Sequence, residues 1–289
     1  PNLVVAKLGA GGKVSMFNSA GTTHVIFDVV GWYSDTGAGN DGRLQPLTPA
    51  RILDTRDGTG GGVRLQPGAS LDLQVSGRGG VPASGAKAAV VNIAATGTTA
   101  SGHLTVYPAG EARPLASTVN FSAGDTVSNR MMAKLGAGGK ITVFNSAGST
   151  DVVVDVGGWY TDASVAGTAG AFTPLAPARI LDTRDGTGGV TGPVAGGTTA
   201  DVQVTGRGGV PASGVSAVVI NATVTQPSAA GYLTVFPAGA ARPLASDLNY
   251  AGGETRPNLV VVKVGAGGRV AVYPQAGVHL VFDVAGWYS

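Results

Sequence analysis

The segment ARILDTRDGTGG, Ala50 to Gly61, gathers Arg51, Asp54, Arg56 and Asp57 around an apolar pair and then runs into glycine. Its residue types offer three chemistries. Asp54, Asp57 and the turn at Gly58 have the layout of a calcium loop, but Arg56 stands where an oxygen ligand is wanted and no downstream Glu completes the shell. Arg as bidentate donor with Asp as hydroxyl acceptor would suit a sugar or a carboxylate. An Asp-Gly turn whose charged side chains bond the backbone and each other needs no ligand at all. The segment returns unchanged at Ala178 to Gly189, with Asp182, Arg184 and Asp185 in the same pattern. Duplication makes it a signature of a repeated fold first. Its charges are expected to hold a turn, and its outer face is a candidate binding surface.

Two further sets of residues carry chemistry. Trp32, Trp159 and Trp287 close the runs VIFDVVGWY, VVVDVGGWY and LVFDVAGWY. They are candidate stacking platforms for the apolar faces of sugar rings, or locks between repeated units. Asp28, Asp155 and Asp283 sit inside these apolar runs, so each must be paired or hydrogen-bonded if buried. Arg113 and Arg242 in the two ARPLAS segments, with Asn120 and Asn249, are polar positions held in both copies. They either pair within turns or face a ligand.

Catalysis is not expected. His24 and His279 correspond in the repeat to Asp151, and His103 to Tyr232, which suits solvated strand positions rather than a tuned base. The chain has two Glu, Glu111 and Glu254, and its Asp residues recur with the repeat instead of forming one unique cluster. No HExxH, GxSxG or phosphate-loop pattern occurs. No cofactor and no metal site is expected.

The elements that must position these groups are strands. Of 289 residues, 48 are Gly and 16 Pro, 43% are apolar and 12% charged. Abundant Val and Thr, with few helix formers other than Ala, read as all-β. A net charge of +2 with arginines scattered one per motif argues against nucleic acid. Zero Cys excludes disulfides, and no apolar run reaches the roughly 20 residues of a spanning helix. The chain opens on Pro1 inside a repeat and is expected to be a processed form or an excerpt, so the lack of a signal peptide does not count against export.

Two periods are nested. Asp54 and Asp182 lie 128 residues apart, LTVYPAGEARPLAS returns as LTVFPAGAARPLAS, and PNLVVAKLGAGGKV at Pro1 matches PNLVVVKVGAGGRV at Pro257. Within the long period, alternating segments such as KVSMF, HLTVY and SLDLQV, separated by glycine turns, suggest half-buried strands. Three unit types, A, B and C, then run A-B-C-A-B-C-A at about 41 residues each. The units span 1–42, 43–86, 87–127, 128–170, 171–214, 215–256 and 257–289. That size suits a β-propeller of seven three-to-four-stranded blades. The alternative is a tandem of antiparallel β-sandwiches (Ig-like or jelly-roll) of about 128 residues, with 1–35 a partial repeat and 43–161 and 172–289 the repeat domains. Residues 1–35 decide between them: lying beside 257–289 in one molecule favours the ring, and pairing with another chain favours the array.

The joint set ARILDTRDGTG, GRGGVPASG, LTVYPAG-ARPLAS, PNLVVVKVGAGG and DVVGWY is similar to repeats common in large exported actinobacterial (Streptomyces-like) proteins. The similarity covers essentially the whole chain. It implies an extracellular or cell-surface accessory or adhesive module with no established catalytic role. The function expected is lectin-like recognition of cell-wall or cell-surface carbohydrate. Its candidate residues are Trp32, Trp159, Trp287, Asp54, Arg56, Asp57, Asp182, Arg184, Asp185, Arg113 and Arg242. A structural stalk or filament is the alternative, with other copies of the chain or a larger secreted assembly as partners.

Overall fold

The computed structural model describes residues 1–34, 41–166 and 170–289. The fold is all-β, with sixteen strands in four antiparallel four-stranded sheets and three short 3-10 turns among the described residues. The first eight strands are β1 (Leu44–Asp54), β2 (Ser70–Gln74), β3 (Ala86–Thr96), β4 (Gly102–Pro108), β5 (Val119–Phe121), β6 (Val127–Lys134), β7 (Lys140–Asn145) and β8 (Asp151–Thr161). The second eight repeat them: β9 (Phe172–Asp182), β10 (Ala200–Gln203), β11 (Ala217–Thr225), β12 (Gly231–Pro237), β13 (Leu248–Tyr250), β14 (Arg256–Lys263), β15 (Arg269–Pro274) and β16 (His279–Tyr288). No helix among the described residues is long and apolar enough to cross a membrane.

In each set of eight, a large sheet faces a small one. The large sheets run β1-β8-β3-β6 and β9-β16-β11-β14, and the small ones β2-β7-β4-β5 and β10-β15-β12-β13. Ile52, Val91, Ile93 and Val154 of one large sheet pack with Leu73, Leu104, Val106 and Val143 of the small sheet opposite. The second half has a matching core around Ile180, Ile220, Val235 and Phe282. Strand composition follows the number of covered faces. The small sheets have one wet face, and HLTVY and SLDLQV alternate accordingly. The large sheets are covered on both sides, so AAVVNIAAT of β3 and VVVDVGGWY of β8 are almost continuously buried. Prolines 46 and 49, and 174 and 177, fall on β1 and β9, the edge strands, where a missing ladder donor is tolerated.

The expected seven-bladed propeller does not describe this arrangement. A blade keeps consecutive strands in one sheet. Here every A, B or C unit in residues 43–289 is divided: β1 joins a large sheet and β2 a small one, β3 a large sheet and β4 and β5 a small one. The reason is that the large-sheet strands are apolar on both faces and the small-sheet strands on one, so strands sort by burial and not by sequence neighbourhood. Facing pairs of open antiparallel sheets, the alternative reading, match the strand orders. KVSMF at 13–17 belongs to no strand, although the equivalent residues 140–144 and 269–273 lie in β7 and β15. Residue 35, the expected end of the partial repeat, lies outside the described residues.

The outer faces of the two large sheets meet. Leu44, Val90 and Tyr160 from one half and Ala217, Val219, Leu259, Val261 and Tyr288 from the other form a third buried cluster, with Leu3 and Val5 packed against it. Residues 1–34 thus do lie beside 257–289 in the same molecule, as a ring requires, but they lie beside the middle copy as well. Two cycles of hydrogen bonds show this. The Leu3 amide donates to Asn129 Oδ1 (3.3 Å), the Arg130 amide to Asn258 Oδ1 (3.3 Å), and the Leu259 amide to Asn2 Oδ1 (3.2 Å). The hydroxyls of Tyr33, Tyr160 and Tyr288 contact one another pairwise at 2.6–2.7 Å. Residues equivalent in the sequence are therefore related around one axis, three at a time.

Candidate functional site

The duplicated ARILDTRDGTGG segment is the end of β1 or β9 and the turn that follows. Asp54 is buried, and both its oxygens are taken. Oδ1 accepts from the Arg56 amide (3.1 Å) and Nε (2.8 Å), and Oδ2 from Arg56 Nη2 (2.6 Å) and Arg51 Nη1 (3.1 Å). Asp182 repeats the pattern with Arg184 and Arg179. The bonds from Arg56 and Arg184 hold the two carboxyls below their ordinary range against the opposing effect of burial. Asp57 and Asp185 cap the turn by accepting the amides of Thr59 (2.8 Å) and Thr187 (2.9 Å). A Cβ at Gly60 would stand 2.3 Å from the Ile52 carbonyl oxygen, at a φ of +81°, so glycine is required there. The charges hold a turn, and neither Asp54 nor Asp182 keeps an oxygen open to a cation. Among the described residues no three His, Asp or Glu side chains are placed to share a metal.

Arg51 reaches further. Its Nε and Nη2 grip Asp155 on β8 at 2.9 and 3.3 Å, and Arg179 grips Asp283 on β16 at 2.9 and 3.2 Å. The Asp within the apolar runs of β8 and β16 is thus paired, as its surroundings demand. Burial nevertheless raises the Asp155 pKa, with Arg51 opposing. Trp159 and Trp287 pack against the two cores, which suits locking better than stacking on a ligand, whereas Trp32 is 83% exposed.

Arg113 and Arg242 lie elsewhere, over the solvent face of the small sheets. The Arg113 guanidinium stacks on the Phe144 ring at 3.8 Å and that of Arg242 on the Tyr273 ring at 4.0 Å. His103 flanks the first ring at 6.4 Å and Tyr232 the second at 6.1 Å, and Arg242 Nη1 also donates to the Tyr232 hydroxyl (3.3 Å). Both arginines are exposed. Each site is an aromatic shelf carrying a flat cation whose remaining N–H edges face solvent. The aromatic partners went unnoticed in the sequence. Phe144 and Tyr273 close the alternating segments KITVF and RVAVY, and their outward phase was the available signal.

The junction between halves adds groups that no motif indicated. Asp247, fully enclosed, pairs with the buried Arg130, and Oδ2 accepts the Val235 amide at 2.6 Å. Burial raises its pKa against the pull of Arg130. Asn258 and Asn92 are bonded to each other beside this pair, and a shallow cleft lined by Arg51, Arg56, Thr96, Thr126, Ser246 and Asn249 opens next to it.

No protein-family model and no curated protein matches the chain. Among solved structures, it is similar to the PBSX exported protein XepA over 92% of this chain and 100% of that one, at 11% identity and a TM-score of 0.25. It is also similar to the N-terminal CBM22-1-CBM22-2 tandem domain of Paenibacillus barcinonensis Xyn10C over 83% of this chain and 98% of that one, at 13% identity and a TM-score of 0.22. Scores of this size do not establish a common fold.

Proposed function

We propose that the protein is a non-catalytic extracellular module that binds cell-wall or cell-surface carbohydrate through the wet faces of its small sheets. The observation that carries this reading is the guanidinium laid on an aromatic ring at equivalent, exposed positions of both halves, Arg113 on Phe144 and Arg242 on Tyr273. Stacking fixes the fork of donors without burying it, and such a fork suits the hydroxyl pairs and carboxylates of polysaccharides. Rings beside it offer surface to the C–H faces of sugars. Two modest sites on one chain strengthen binding to a polymer by about 10²–10⁴-fold when both engage. The duplicated DTRD turns are read as scaffold.

Binding of the intact chain to a panel of insoluble and soluble polysaccharides, acidic ones included, tests the reading. At least one polymer is expected to be retained. Loss of that retention in Arg113→Ala/Arg242→Ala, with unchanged unfolding midpoint, supports the site. No binding across the panel, or binding indifferent to both arginines, sinks it.

A further inference from the structure

Residues 24–33, HVIFDVVGWY, are equivalent to β8 and β16, yet they are exposed where those strands are buried. In β8 and β16 the residues facing the small sheet are buried: Val152, Val154 and Val156, and Leu280, Phe282 and Val284, are all 0% exposed. Their counterparts Val25, Phe27 and Val29 are 48%, 68% and 87% exposed. On the opposite side Ile26 is 87% exposed where Val153 and Val281 are buried, and Tyr33 is held beside Tyr160 and Tyr288. Asp28 corresponds to Asp155 and Asp283, each gripped by an arginine, and has no such partner among the described residues. The copy is anchored at the axis through Tyr33 and is open along residues 24–32.

The structure shows twice what covers such a face. β8 lies between β1 and β3, and β16 between β9 and β11, with β4 and β12 in the facing sheets. We propose that residues 1–34 form a receptor surface for a polypeptide segment with the B–C strand set of this same repeat. That segment has the character of residues 43–127: strands equivalent to β1 and β3 that flank residues 24–33, and a small-sheet hairpin laid over Val25, Phe27 and Val29. Its ARILD arginine meets Asp28 as Arg51 meets Asp155. An unrelated apolar peptide would leave the Asp28 carboxylate unpaired against apolar surface, which selects for a strand carrying Arg at that register. A second copy of the whole chain is a poor occupant, because both of its B–C strand sets are already filled by β6–β8 and β14–β16.

Hydrogen exchange on the intact chain, alone and with an added polypeptide of residues 43–127 or 171–256 fused to a soluble carrier, tests this. Alone, the amides of 24–32 are expected to exchange at least 100-fold faster than those of 152–159 and 280–287. With either added segment they become protected in a one-to-one complex. The emission of Trp32 shifts to the blue, a shift absent in Trp32→Phe because the added segments contain no tryptophan. Asp28→Lys weakens the complex at least 10-fold. The proposal is overturned if 24–32 are already protected in the monomeric chain, or if they become protected by association of the chain with itself. It is overturned equally if neither segment changes their exchange.

Discussion

Tyr160 and Tyr288, 128 positions apart in the sequence, meet hydroxyl to hydroxyl at 2.7 Å. With Tyr33 they make a ring of three phenols in which each group can donate once and accept once. Two of the three are buried, and burial pushes both pKa values well above the usual tyrosine value. The unfolded chain ionises its tyrosines near pH 10, while the folded chain keeps these two protonated. Stability is therefore expected to fall as pH climbs past about 10. Tyr160→Phe or Tyr288→Phe should cost about 1–2 kcal/mol at neutral pH, since the remaining hydroxyls lose a partner. The double variant should show a flatter alkaline slope. Urea unfolding at pH 7 and pH 10.5 checks both.

The buried Arg130–Asp247 pair joins the two halves at positions where the other copies carry uncharged residues. Leu259 and Leu3 correspond to Arg130, and Thr118 to Asp247. Asp247→Thr alone strands a guanidinium that is 2% exposed and should destabilise by about 3–5 kcal/mol. Adding Arg130→Leu restores the combination found at 3 and 118 and should recover most of the loss. A double-mutant cycle by chemical unfolding measures the coupling. A double variant no better than the single one would show that the charges specify this junction and cannot be replaced.

Acid should act on the turns in a definite direction. Asp54 and Asp182 are held below their ordinary values by Arg56 and Arg184, so the unfolded chain takes up protons first as pH falls. Their stabilisation is complete above about pH 4, the unfolded carboxylate range, and is lost as pH drops through the lowered folded values. Asp155 and Asp247 have the opposite sign, since burial raises them. Their cost is present at neutral pH and eases as pH falls through their raised values. Asp182→Asn is expected to lower stability at pH 7 and to flatten its decline below pH 4, read from unfolding midpoints between pH 2 and 7.

Gly60→Ala and Gly188→Ala test the turn without touching a charge. Each new methyl carbon would meet a carbonyl oxygen, of Ile52 or Ile180, at 2.3–2.4 Å with φ above +80°. Strain of about 1–3 kcal/mol is expected at each position. Gly58→Ala, where no atom stands within 4 Å of the added carbon, should cost less because only its φ is unfavourable. Thermal unfolding of the three variants orders them.

The turn chemistry was legible because it is local. The Asp-Gly signature named the DTRDGTGG turn, and its verbatim return named it as scaffold. The partners of Asp155 and Asp283 are the arginines of the ARILD segments, but sequence distance hid that Arg51 reaches Asp155 across 104 positions. Arg113 and Arg242 were found as repeated polar positions, but their rings were not, because the register of β4 against β7 and of β12 against β15 sets which aromatic lies beneath each guanidinium. The propeller reading failed for a related reason. Units of blade size are a statement about period, and period does not say which strands share a sheet.

Residues 1–34 separate the two levels most clearly. The segment GAGG folds as the same 3-10 turn in all three copies, at Ala10–Gly12, Ala137–Gly139 and Ala266–Gly268, with Gly11, Gly138 and Gly267 at φ of +66 to +67°. The closing bond, from the amide of Gly9, Gly136 or Gly265 to the carbonyl of Lys13, Lys140 or Arg269, is 2.8 Å in each. Sequence alone determined that turn, since glycine φ values and one short-range bond are all it requires. The strands on either side formed at 127–145 and 256–274 but not at 3–17, although the residues are nearly the same. A strand's amides and its apolar face are satisfied only by other strands, and those lie far along the chain. The tertiary structure alone decided where they were present.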